Sequence, residues 1–160
     1  MPARAVGTRI NTVRHRRLPG RATVYAFANQ PTMRLLQEYT QDGVDILHLG
    51  GDIDMHFAPT LRAVLRAKHN RNCPALLLDL SQVEFIDSVG LAALLEYLRD
   101  ATDCGSRFCI GGLSESLRTI FEVVGLGKVM PVYADSAKAK AAFLANDVPQ
   151  PSMRLFAEAA

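Results

Sequence analysis

The stretch that decides the fold is LLLDLSQVEFIDSVGLAALLEYL, residues 76–98. It joins two apolar runs of different period. Residues 75–81, ALLLDLS, show no alternation, so both faces of that segment must be buried, as in a central strand of a parallel sheet. From residue 88 the period changes: Leu91, Leu94, Leu95 and Leu98 follow i, i+3, i+4, i+7, which predicts a helix over 88–103 with Arg99, Asp100 and Asp103 on its wet face. Between the runs stand Asp87, Ser88, Val89 and Gly90. Ser88 occupies the predicted N-cap, where its hydroxyl can accept from the N–H of Gly90 or Leu91. Asp87, one position earlier, meets the positive end of the helix dipole. Ordinary capping explains that pair. It does not explain a glycine in the first helical turn, which costs ~0.5–1 kcal/mol relative to alanine and implies that something approaches closely there.

Outward from this junction the same logic assigns the rest. Before it, MRLLQEYT and VDILHLGGDI flank Asp42-Gly43, a hairpin signal, giving strands at about 33–40 and 44–50. APTLRAVLRAKHN (58–70) reads as a helix with Pro59 in its first turn. After it, RFCIGGL (107–113) reads as a strand, and Ser114 caps a helix with core residues Leu117, Ile120, Phe121 and Val124, stopped by Gly125. MPVYA (130–134) is a short strand, and Asp135-Ser136 opens a fourth helix ending near Leu144. ATVYAFA (22–28) can add one more short strand. Strands alternating with helices predict an α/β domain over 33–145: a mixed, mainly parallel β-sheet with an N-terminal antiparallel hairpin strand and about four α-helices.

The 160-residue chain carries a net charge of +2, unevenly spread. Residues 1–34 hold seven arginines and no acid, leaving eleven basic against sixteen acidic residues from 35 onward. Residues 1–32 therefore read as a basic, disordered arm. A solvated tail, an over-extended start, a transit-type presequence, or a nonspecific arm for nucleic acid or an anionic surface would all fit it. Residues 146–160 read as a flexible tail. No apolar run reaches the ~20 residues of a membrane span. Cys73, Cys104 and Cys109 form no Cys-x-x-Cys pair, which suits a reducing compartment and places the protein in the cytoplasm. His15, His48, His56 and His69 lie on separate segments without metal-ligand spacing, and neither a Gly-x-Ser-x-Gly elbow nor a phosphate loop is present. No catalysis, no cofactor and no metal are expected.

The junction resembles the signature of STAS domains, the fold of bacterial anti-sigma factor antagonists. The matching residues are Asp79, Leu80, Ser81, Val83, Phe85, Asp87, Ser88, Gly90 and Leu91. LGGDID (49–54), with Asp54 at the acidic position, and CGSRFCIGGLSESLRTIFEVVGLGKVMPVYAD (104–135) resemble flanking parts of that family in the same order. The resemblance implies the STAS fold and a binding module that sequesters an anti-sigma factor of serine-kinase type. It implies a contact surface of Asp54, Asp87, Ser88, Val89 and Gly90, phosphorylation on this loop as the release signal, and a serine phosphatase as the reset. The family's acceptor often directly precedes the glycine; here that residue is Val89, so Ser88 is the acceptor available. Two alternatives keep other jobs open: an accessory subunit on the ATPase of an ABC-type lipid transporter, and a phospho-Asp receiver or Mg²⁺-dependent phosphotransfer protein built on Asp52, Asp54 and Asp79.

Overall fold

A computed structural model describes residues 23–25 and 36–149. Most of the basic arm and the last eleven residues lie outside the described residues. The elements follow in the order β1 (Thr23–Tyr25), β2 (Leu36–Gln41), β3 (Val44–Ile53), α1 (Ala58–Asn70), β4 (Ala75–Ile86), α2 (Ser88–Cys104), β5 (Arg107–Gly111), α3 (Glu115–Val124), a 3₁₀ turn (Leu126–Lys128), β6 (Val132–Tyr133) and α4 (Ser136–Leu144).

The strands form one six-stranded sheet in sequential order, β1-β2-β3-β4-β5-β6. The first three pair antiparallel, with Asp42 and Gly43 both at positive φ in the β2–β3 turn. From β3 onward every pair is parallel. Right-handed crossovers that step the same way each time lay their helices on one face. The burial pattern agrees: Leu47, Leu76, Leu78 and Leu80 pack with the apolar sides of α1, α2 and α3 in the larger core. The alternate residues Val44, Ile46, Ala75 and Leu77 pack with Ala139 and Phe143 of α4 in a smaller core on the opposite face. Residues 75–80 of β4 are all buried, as an apolar run covered on both sides demands.

The helices fall where their periods place them. Ser114 caps α3 by accepting from Leu117 N–H at 3.3 Å, and Gly125 ends it in the left-handed conformation at φ 76°. Several expectations change. Val124, expected in the core of α3, is 51% exposed, β3 runs on to Ile53 past its expected end near residue 50, and Val148, expected in the tail, packs in the smaller core. β4 continues to Ile86 instead of ending near 81, because its pairing with β3 slips between His48 and Gly50 and again between Gly51 and Asp52. Each slip sets an additional β4 residue against β3, a bulge that hides the alternation in the sequence. The slips leave Ile86 buried and Phe85 48% exposed. A last change concerns the cap of α2, described next.

Candidate functional site

The N-cap of α2 is Asp87, not Ser88. Asp87 has extended backbone, and its Oδ1 accepts from Gly90 N–H at 2.8 Å. Ser88 therefore stands at the first helical position, exposed to solvent. The second oxygen, Oδ2, accepts from Met55 N–H at 2.8 Å. The Asp87 N–H donates to Ile53 O at 3.1 Å. One residue thus fastens the start of α2 to the end of β3 and to the loop after it.

That loop has its own acid. Asp54 Oδ1 accepts from His56 N–H at 3.0 Å and from Phe57 N–H at 3.1 Å, and its carbonyl accepts from Ala58 N–H at 2.8 Å. Asp54 therefore shapes the entry into α1, whose own N-cap residue, Phe57, makes no side-chain cap bond.

Gly90 is buried, and the close approach its presence implied comes from within the chain. A Cβ there would lie 2.7 Å from both the Ile53 Cγ2 and the Ile53 carbonyl oxygen, and 2.9 Å from Ile86 Cγ1. The glycine lets α2 begin directly against β3 and β4. Above it lie exposed Ser88 and half-buried Val89, with exposed Met55 and Phe85 on the adjoining loop and strand. Acids precede the exposed residues in sequence: Asp54 before Met55, Glu84 before Phe85 and Asp87 before Ser88.

The motif's other aspartate points elsewhere. Asp79 is 5% exposed, beneath the face that α4 covers. Its Oδ2 pairs with His48 Nδ1 at 2.7 Å and accepts from the Ser136 hydroxyl, and its Oδ1 accepts from Ser81 N–H at 2.9 Å. Burial pushes the Asp79 carboxyl up, but hydrogen bonds from His48, Ser136 and Ser81 outweigh it and hold the group well below the usual carboxylate range. His48 Nε2 lies 3.2 Å from the Tyr39 hydroxyl, which also accepts from Lys140 Nζ at 3.1 Å. The chain of contacts ties α4 to β2, β3 and β4. The sequence shows only that His48 lacks metal-ligand spacing and does not foretell this network.

Asp79 is thus enclosed by its own partners, while Asp54 is committed to the entry of α1. Among the described residues no three His, Cys, Asp or Glu side chains are grouped to hold a metal ion. The carboxylate cluster expected from Asp52, Asp54 and Asp79 does not form, and the receiver reading loses its site.

A mixed, mainly parallel sheet with an antiparallel N-terminal hairpin and four α-helices is the fold that the STAS resemblance implies. The chain belongs to the STAS domain family, whose profile matches residues 36–139. Over 98 residues it is 28% identical to the anti-sigma F factor antagonist of Paenibacillus polymyxa, an alignment spanning 61% of this chain and 84% of that protein. It is also 28% identical over 97 residues to the anti-sigma-B factor antagonist of Listeria monocytogenes, again spanning 61% and 84%. The crystal structure of an anti-sigma factor antagonist from Mycobacterium paratuberculosis superposes with a TM-score of 0.62 at 29% identity, covering 78% of this chain and 96% of that one. Among the described residues no helix is long and apolar enough to cross a membrane.

Proposed function

We propose that this chain is an anti-sigma factor antagonist: a binding module, not an enzyme, that occupies an anti-sigma factor of serine-kinase type in the cytoplasm and is released when Ser88 is phosphorylated. The observation that carries the reading is the placement of Ser88. It is exposed at the first turn of α2, beside exposed Met55 and Phe85, on a backbone fixed by Asp87. An exposed acceptor hydroxyl, one residue after the Asp87 that holds the Met55 loop, suits a contact that one modification can break. The contact surface comprises Asp54, Asp87, Ser88 and Val89, with Gly90 setting the helix start beneath them.

A phosphate on Ser88 adds about −1.5 to −2 charges at pH 7. It would stand beside Asp87, on a surface that must desolvate against a partner. The helix N-terminus would stabilise the phosphate, while like charge and lost apolar contact would weaken the complex. A serine phosphatase would restore binding.

The test is pull-down and calorimetry against serine-kinase-type anti-sigma factors from the same genome. Unmodified protein should bind, Ser88→Glu should weaken binding at least tenfold, and Ser88→Ala should bind but resist phosphorylation. Absence of any complex, or equal affinity for Ser88→Glu, would reject the reading.

A further inference from the structure

The sheet ends in a strand with one side unused. β6 is the last strand in the sheet order and pairs only with β5. Its inner side is engaged: the Pro131 carbonyl accepts from Ile110 N–H at 3.0 Å, and the Tyr133 carbonyl accepts from Gly112 N–H at 3.1 Å. Backbone polar groups alternate in direction along a strand, so those of Val132, which stands between them, point away from β5. Among the described residues no strand lies on that side to meet them, and Val132 is 36% exposed. Such an edge is a template for another strand.

A cavity of about 300 Å³ opens at this edge, lined by Leu113, Val132 and Tyr133 and by Arg118, Phe121 and Glu122 of α3. Tyr133 packs against the smaller core, so the side chain of Val132 faces the α3 side of the sheet. Leu113 and Phe121 belong to the larger core. Arg118 and Glu122 are exposed and stand at i and i+4 of one helix face. Arginine before acid is the less favourable order for a pair within a helix. Neither side chain joins an ion pair or a hydrogen bond among the described residues. One cation and one anion, both unspent, thus flank a free peptide group. That is the composition of a surface that complements itself, since in a two-fold contact residue i meets j and j meets i.

We infer that the β6 edge is the interface of a two-fold dimer, with a second copy of this chain as its occupant. Val132 of each copy exchanges both N–H···O bonds with Val132 of the other, as directly opposed residues do in an antiparallel pair, and the two sheets become one. Both α3 helices then lie on the same face of the joined sheet and run antiparallel, which sets Arg118 of each copy opposite Glu122 of the other. β6 is two residues long, so the contact is small and belongs to the transient class. None of Asp54, Asp87, Ser88 and Val89 lines the cavity. The dimer carries two copies of that surface, and the inference does not rest on what the surface binds.

The experiment is sedimentation equilibrium on the full chain over a concentration series, which should show monomer and dimer in exchange. Val132→Pro removes an N–H that the monomer does not use, a change tolerated on the open side of an edge strand. It should raise the dimer Kd at least tenfold and leave the melting temperature of the monomer unchanged. Arg118→Glu and Glu122→Arg should each abolish the dimer, because like charges then face each other. Mixed in equal amounts the two variants should pair one to one, since one copy presents two acids and the other two arginines. A monomer at every concentration up to about 1 mM overturns the proposal. So does a dimer that Val132→Pro leaves intact, which belongs to another surface, and so does a mixture of the charge variants that stays monomeric. If Val132→Pro lowers the melting temperature, the mixture decides.

Discussion

Asp79 and Asp87 sit eight residues apart in one strand and its exit loop, yet they do opposite work. Asp79 is buried under α4 and saturated by His48, Ser136 and Ser81. Asp87 is half-buried at the lip of the exposed patch and holds two backbone N–H groups, one from its own helix and one from the β3–α1 loop. The first fixes the second layer of the fold; the second shapes the surface proposed to meet a partner. A motif of this kind therefore mixes residues that keep the domain folded with residues that shape its surface, and only the contacts separate them.

The largest expected effect comes from Asp79→Ala. Removing one partner from a buried ionic and hydrogen-bonded group costs on the order of 3–5 kcal/mol, enough to unfold a domain of marginal stability. The same residue should dominate the acid limb. Its carboxyl pKa is lowered by folding, so its stabilisation is present above the unfolded value near 3.8 and is lost as pH falls below it. Denaturant titrations between pH 5 and pH 2 should show wild type losing stability more steeply than Asp79→Asn; equal slopes would refute the assignment.

Gly90→Ala tests the frame beneath the site. The added methyl meets the Ile53 backbone carbonyl and side chain at 2.7 Å, and overpacking of this kind costs typically 1–3 kcal/mol. Calorimetric unfolding should show that loss even without a partner. A variant that binds poorly but melts as wild type would mean the glycine serves the partner's approach, not that of Ile53.

These two residues also mark where sequence reading stops. The helices of this domain are legible because their signals are local: the leucine spacing of α2, Ser114 before α3, Gly125 after it, Pro59 in α1. The hairpin turn is legible for the same reason. The extension of β4 is not, since its two bulges break the period-two pattern at the residues where it would be read. The cap of α2 lies one residue before the expected Ser88 because Asp and Ser cap equally well in principle; the second bond, from Met55, favours the acid and comes from 32 residues away. The Asp79–Ser136 contact spans 57 residues, and Lys68 meets Glu38 across 30. Such pairs leave no periodic trace. The glycine did announce that something approached closely, but not that it was Ile53.

The smallest effect is the most discriminating. Asn caps a helix about as well as Asp, so Asp87→Asn should keep the Oδ1 bond to Gly90 and the helix start with it. The amide nitrogen that replaces Oδ2 cannot accept from Met55 N–H. The variant should therefore lose under about 1 kcal/mol, the scale of one hydrogen bond, and the Met55 amide should exchange with solvent faster while the Gly90 amide does not. If the loop bond matters to the proposed surface, affinity for the anti-sigma partner should fall by more than the stability does, because a loosened Met55 must be ordered again on binding. If affinity is unchanged while Met55 exchange rises, Asp87 acts on the partner only as a helix cap, and its resemblance to Asp79 as a structural residue is closer than their surroundings suggest.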